Sequence, residues 1–341
     1  RVNPADLTCK YARITSTTNN SGVKKADLVL EAIIEDLAIK QKTLNEIEGM
    51  INQKSIIATN TSSLLLKDIG AELKRPENLV GMHFFNPVNK MPLVEVVKGE
   101  KTSEEAVGMI VQLSRKLGKT PIVVGDSAGF VVNRLLLTFM NEALFCLEEA
   151  GDIQAIDSAI VKFGMPMGPF LLADEVGLDV AYKVCKNLHN FYGERMKPSF
   201  ILDFIYNEKK LLGKKSGTGF YIHVEKKANI NTDLATEIKA KSAGKTLSET
   251  EILDRCLLLM INEAARDLEE KMIKNARQLD LAMIMGTGFP PFRGGLLKYA
   301  DSLGVKAVVS KLDEFSTKYG DRFTPCFYLQ NLVKQNSSFY L

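Results

Sequence analysis

The chain has 341 residues, 45% hydrophobic and 25% charged, enough apolar material for two or three domains with filled cores. A net charge of +3 is too close to balance to mark a nucleic-acid surface, and no apolar run is long enough to be a transmembrane segment. The five cysteines (Cys9, Cys146, Cys185, Cys256, Cys326) are scattered without a C-x-x-C pair, which favours reduced thiols, a cytoplasmic setting and no metal framework.

Residue 1 is Arg rather than Met, and nothing near it resembles a signal peptide. The last residues, "SSFYL", do not match a peroxisomal S-K-L address. The expectation is a chain that begins inside a longer product.

Strand and helix signals alternate at first. "ADLVLEAI" (26–33) reads as a strand, "EDLAIKQKTLNEIEGMIN" (35–52) as a helix with Leu37, Leu44, Ile47 and Ile51 on one face, and "SIIATN" (55–60) as a buried strand. "NLVGMHFF" and "LVEVVKG" (93–99) read as two more strands. "TSEEAVGMIVQLSRKLG" (102–118) opens on a capping-box pattern from Thr102 to Glu105 and closes on Gly118. "PIVVGD" (121–126) is the next strand. This alternation predicts a parallel, doubly wound sheet.

After Asp126 helical patterns take over, and a repeat is visible. "NEALFCLEEAGDIQAIDSAIVKFGMPMGPF" begins at Asn141 and "NEAARDLEEKMIKNARQLDLAMIMGTGFPPF" at Asn262. The offset is 121 at Asn141/Asn262 and 122 at Pro169/Pro291. Two tandem related helical domains follow, so the fold class is α/β then all-α. The division is 1–125, an incomplete doubly wound Rossmann-type domain; 126–223, a first helical domain; 224–250, a lysine-rich linker; and 251–341, the second helical repeat. The G-x-G-x-x-G loop that holds a pyrophosphate is absent; "GTGFYI" at Gly217 and "GTGFPP" at Gly286 have two of its three glycines.

Several residues offer chemistry. His83 and Glu95 are spaced as strand, loop, strand, which can set a carboxylate beside an imidazole and make a general base; the alternative is a packed core histidine. Ser62 lies past the carboxyl end of a predicted strand, where open α/β sheets bind ligands, or it caps a helix. Asn133 could hold a substrate oxygen or bridge helices. Glu35 could meet a cofactor or act as a first-turn helix acid, and Lys40 could simply be a solvated lysine. Asn86 precedes a proline, so its backbone is extended and its amide can face the same crevice. His189 and His223 lack a carboxylate at a telling spacing and read as structural. Zinc and serine-hydrolase signatures are missing.

Together, "NTSSLLLKDI", "ENLVGMHFFNPVNKMPLVEVVKGEKTSEEA", "GKTPIVVGDSAGFVVNRLL", "GMPMGPFLLADEVGLD" and "GKKSGTGFY" resemble the L-3-hydroxyacyl-CoA dehydrogenase family over nearly the whole chain. The second repeat, with "GFPPFRGG", resembles the dehydrogenase portion of multifunctional fatty-acid oxidation α-subunits. The tandem repeat would then stand in for a dimer contact made by members with one helical domain. The resemblance implies NAD-dependent oxidation of (S)-3-hydroxyacyl-CoA to 3-oxoacyl-CoA in fatty-acid β-oxidation. It implies His83 as catalytic base, Glu95 as its partner, and Ser62 and Asn133 around the substrate oxygen. It implies Ile33, Ile34, Glu35, Lys40, Ser62 and Asn86 as cofactor contacts. An acyl-CoA substrate and a thiolase β-subunit partner in a heterotetramer follow from it as well. The family's glycine loop and hydratase domain would precede the part seen here, and this chain by itself would bind NAD poorly. Two other readings stand beside it: another 3-hydroxyacid dehydrogenase, or a non-catalytic CoA-binding or assembly subunit.

Overall fold

A computed structural model describes residues 3–20, 22–225 and 227–340. A short helix α1 (Pro4–Tyr11) precedes the α/β unit, which runs β1 (Leu28–Glu31), α2 (Leu37–Glu48), β2 (Ile56–Thr59), α3 (Leu66–Ile69), β3 (Leu79–Phe84), β4 (Leu93–Lys98), α4 (Glu104–Lys116) and β5 (Thr120–Gly125). The sheet order is β1-β2-β3-β4-β5. It is parallel as expected except at β3/β4, which pair antiparallel across the short 85–92 connection. Among the described residues β1 forms one edge of the sheet. Every residue of β2 is buried, as both-face coverage of a parallel sheet requires.

Two local expectations shift. The cap of α4 is Ser103, whose hydroxyl accepts from Ala106 N at 3.1 Å; Thr102 instead donates to Leu79 O at 2.7 Å and accepts from Gly99 N, so it is not free to cap. Helix α2 starts later than predicted because Asp36 caps it, accepting from Ile39 N at 3.0 Å.

The period-2 alternation of strands sorts the sheet's two faces. Val80, Met82, Val94 and Val96 pack with Ala106, Val107 and Ile110 of α4. Leu79, Leu93 and Val97 face the other way, into the core shared with the helices that follow. His83 and Glu95 belong by parity to that second face.

The first helical unit comprises α5 (Val132–Ala150), α6 (Ile153–Phe163), α7 (Pro169–Val176), α8 (Leu178–Tyr192) and α9 (Phe200–Asp203), and a π turn follows it directly. A hairpin of β6 (Tyr221–Val224) and β7 (Lys227–Ile230) and then α10 (Thr232–Lys241) lead to the second unit. That unit comprises α11 (Glu249–Glu269), α12 (Ala276–Thr287), α13 (Leu296–Leu303), α14 (Val305–Tyr319) and α15 (Phe327–Lys334). The polar 224–250 segment therefore carries structure of its own: α10 buries Leu234 and Ile238.

The two units match element for element, and α5 and α11 pack side by side. Asn141 accepts from Ser199 N and donates to Lys197 O; Asn262 does the same with Cys326 N and Thr324 O. Asp157 accepts from Phe170 N, Leu171 N and the Tyr221 hydroxyl; Asp280 accepts from Leu297 N, Lys298 N and the Tyr340 hydroxyl. The sequence offset is 121 at Asn141/Asn262, 123 at Asp157/Asp280 and 127 at the helix-ending Gly177/Gly304. The proline match at Pro169/Pro291 is thereby corrected. Pro169 opens α7, its counterpart opening α13 is Leu296, and Pro291 sits in a 3₁₀ turn of the longer connection.

Candidate active site

His83 and Glu95 are direct partners in the β3/β4 register. Side chains that face each other across an antiparallel pair are close enough to bond, and His83 Nδ1 lies 2.8 Å from Glu95 Oε2. Both residues are buried, Glu95 completely. With a carboxylate as acceptor, Nδ1 carries a proton, so Nε2 is the ring nitrogen left to exchange one with a ligand. Phe85 and Phe130 pack on the imidazole at centroid distances of 4.6 and 5.6 Å. Phe130 has φ 50, a left-handed conformation that costs a non-glycine residue about 1–3 kcal/mol and persists only where its surroundings demand it.

The other Glu95 oxygen, Oε1, accepts from Val131 N at 3.2 Å and Val132 N at 3.0 Å, buried donors at the start of α5 that have no partner within the helix. Asn133, next in that turn, donates through Nδ2 to Ser62 O at 3.3 Å. Ser62 stands in the loop after β2, whose Asn60 accepts from Phe84 N at 2.9 Å, one residue past His83. The bonds thus close a circuit through His83, Glu95, the first turn of α5, Asn133 and Ser62. The helix after Ser62 is not capped by it; Asp126 holds Leu66 N and Lys67 N instead.

A second cluster stands at the carboxyl ends of β1 and β2. Glu35 Oε1 accepts from the Thr61 hydroxyl, Ser62 N and Ser63 N at 2.7, 2.8 and 3.1 Å. Burial pushes the Glu35 carboxyl up, but these donors and Lys40 together hold it below the usual range. Glu35 precedes the Asp36 cap, so it is not a first-turn helix acid; its Oε1 fixes the Ser62 loop while the residue stays exposed beside it. Lys40 is no solvated lysine: it is 1% exposed, with Nζ 2.7 Å from Glu31 and 3.4 Å from Glu35. Ile33, Ile34 and Asn86 are exposed beside this loop system, and Asn86 precedes a cis proline.

Glu31 was missed from the sequence. It is buried and binds Lys40, the Thr59 hydroxyl at 2.6 Å and Ile33 N at 2.7 Å. Its only signal was an acid ending an apolar strand. His189 lies at the surface, 3.4 Å from Glu194. His223, read as lacking a carboxylate, meets Asp174 at 2.9 Å. Asp174 also accepts from Phe220 N and Tyr221 N, and the second unit repeats those two bonds with Asp301, Phe339 and Tyr340, so the role is structural.

Family models match across these same elements. Residues 1–127 match the "3-hydroxyacyl-CoA dehydrogenase, NAD binding domain", and residues 129–223 and 252–338 match the "3-hydroxyacyl-CoA dehydrogenase, C-terminal domain". The chain belongs to the 3-hydroxyacyl-CoA dehydrogenase family. The C-terminal match, taken twice, is the repeat seen in the fold. The chain is 42% identical to the fatty acid oxidation complex subunit alpha of Vibrio parahaemolyticus over 339 residues, which is 99% of this chain and 48% of that protein. It thus spans about half the length of the curated relatives it matches. Among solved structures, 3-hydroxybutyryl-CoA dehydrogenase from Escherichia coli K12 superposes with TM-score 0.80 at 27% identity, covering 97% of this chain and 90% of that one. The dehydrogenase part of multifunctional enzyme 1 from C. elegans gives 0.65 at 29%, covering 97% and 77%. The family's N-terminal domain is an NAD-binding one. Exposed Ile33 and Ile34, with Ser62 and Asn86 beside them, fit an apolar ring carrying a polar amide, and they sit at the carboxyl ends of the strands where α/β sheets bind ligands.

Proposed function

We propose that the chain carries the NAD-dependent oxidation of (S)-3-hydroxyacyl-CoA to 3-oxoacyl-CoA, as the dehydrogenase portion of a multifunctional protein of fatty-acid β-oxidation. The observation that carries this is the buried His83–Glu95 pair, bonded at 2.8 Å and tied through α5 to Asn133 and Ser62. In this reading His83 Nε2 takes the proton from the substrate's 3-hydroxyl. Glu95 stabilises the imidazolium that forms. Ser62 and Asn133 orient the oxygen on which charge develops. Ile33, Ile34, Glu35, Lys40, Ser62 and Asn86 are the proposed contacts to NAD, and Glu35, paired with Lys40, also fixes the Ser62 loop. When bound, NAD supplies the hydride acceptor.

The relative's name, a subunit of a complex, supports a partner, and a thiolase β-subunit is the proposed one because 3-oxoacyl-CoA is what such an enzyme cleaves. A cytoplasmic setting is proposed from five free cysteines, four of them buried. No helix among the described residues is long and apolar enough to cross a membrane. The test is NADH consumption with acetoacetyl-CoA by the full natural gene product. Turnover supports the reading; a folded protein that binds NADH and does not turn over overturns it.

A further inference from the structure

The α5/α11 contact is built twice. Arg134 on α5 reaches Glu263 and Glu270 on α11 at 2.7 Å each. Arg255 on α11, its equivalent by the offset of 121, reaches Glu142 and Glu149 on α5 at 2.8 Å each. Arg134 lies over Tyr192, and Arg255 over the equivalent Tyr319. Arg195 joins Glu263 as Arg322 joins Glu142. Both central arginines are wholly buried.

The two clusters differ in two ways. Arg134 has a further carboxylate, Asp267, at 2.7 Å, where the equivalent position beside Arg255 is Cys146. Arg134 also lies in the first turn of α5, following Val132, which Glu95 holds, and Asn133, which holds Ser62. Arg255 anchors α11, which carries no group of the candidate site.

We propose that Arg134, clamped by Asp267 of the second helical unit, is a positioning residue: it fixes the first turn of α5 against Glu95 and so sets the His83 imidazole. The argument rests on the functional reading above. A guanidinium fork holding three carboxylates leaves that turn one orientation, and the amides at Val131 and Val132 then fix the Glu95 rotamer. The second unit is thereby a working part of the dehydrogenase site as well as a packing partner.

Because the clusters are equivalent, the molecule carries its own control. The full natural gene product is prepared as Arg134→Lys, Arg255→Lys and Asp267→Asn, the last leaving the arginine in place. Thermal unfolding, kcat and KM with acetoacetyl-CoA, and the Nδ1–H proton resonance of 15N-labelled His83 are measured for each. The expected result is that both lysine variants melt earlier. Only Arg134→Lys and Asp267→Asn lower kcat, by about ten- to a hundredfold, with KM little changed, and only they shift or broaden the His83 signal. If Arg134→Lys does not fold, Asp267→Asn decides alone. Equal effects at Arg134 and Arg255, or an unmoved His83 signal in both site-side variants, would overturn the proposal. If the unsubstituted protein does not turn over, the functional reading fails, and the His83 resonance still decides whether Arg134 sets the imidazole.

Discussion

Glu95 meets His83 with one carboxylate oxygen and the first turn of α5 with the other. One side chain therefore couples the sheet to the helical unit at the point where chemistry is proposed. Replacing Glu95 by Gln keeps the shape but removes the charge that balances an imidazolium and turns one of the two accepting oxygens into an NH2 donor. The expected result is a fall in kcat of about 10²–10⁴-fold with a small change in the KM for acetoacetyl-CoA. An unchanged kcat would remove Glu95 from the mechanism.

Asn133→Ala removes the 3.3 Å bond to Ser62 O and, in the proposed function, a donor to the substrate oxygen. Steady-state kinetics should show kcat/KM down by about 10²-fold. Loss confined to thermal stability would make Asn133 a strut between elements and nothing more.

Glu35 gives a pH prediction. Its carboxyl is held below the usual range by Thr61, Ser62, Ser63 and Lys40, against the effect of burial. A carboxyl lowered on folding contributes stability above its unfolded pKa and loses it as pH falls through the folded value. Glu35→Gln should therefore be less stable than the unsubstituted protein at pH 7, and the gap should close below about pH 4. Urea unfolding at both pH values reads it; a gap that widens in acid contradicts the assigned contacts.

The repeat makes a stability prediction. A Cβ on Gly168 would lie 2.2 Å from the buried Asp157 side chain, and one on Gly295 would lie 2.3 Å from the equivalent Asp280. Neither aspartate can yield, because each holds two backbone amides and a tyrosine. Gly168→Ala and Gly295→Ala should each cost about 1–3 kcal/mol, measured by denaturant unfolding, with Gly295 the worse because its φ of 115 already excludes a side chain.

Much of this was legible in the sequence. Strand and helix periodicity marked every strand of the sheet, while spacing left His83 between a carboxylate pair and a core histidine until the antiparallel β3/β4 register set Glu95 opposite it. What was hidden depends on long-range packing. Lys40 looks like any lysine on a helix until β1 brings Glu31 beneath it. Ser62 looks like a helix cap until Asp126, some sixty residues on, takes that task. Arg134 has its partners on α11, far along the chain, and no local pattern shows them. The repeat and the start of its offset drift are legible in the sequence, but the full drift to 127 shows only in the matched elements.

The central claim is that His83 is the base. The measurement is NADH consumption with acetoacetyl-CoA for the full natural gene product and its His83→Gln variant, with folding and NADH binding checked in both. The account predicts turnover in the first and a loss of about 10²–10⁴-fold in kcat in the second, with NADH binding retained. Equal turnover in the two would contradict it and return His83 to the core.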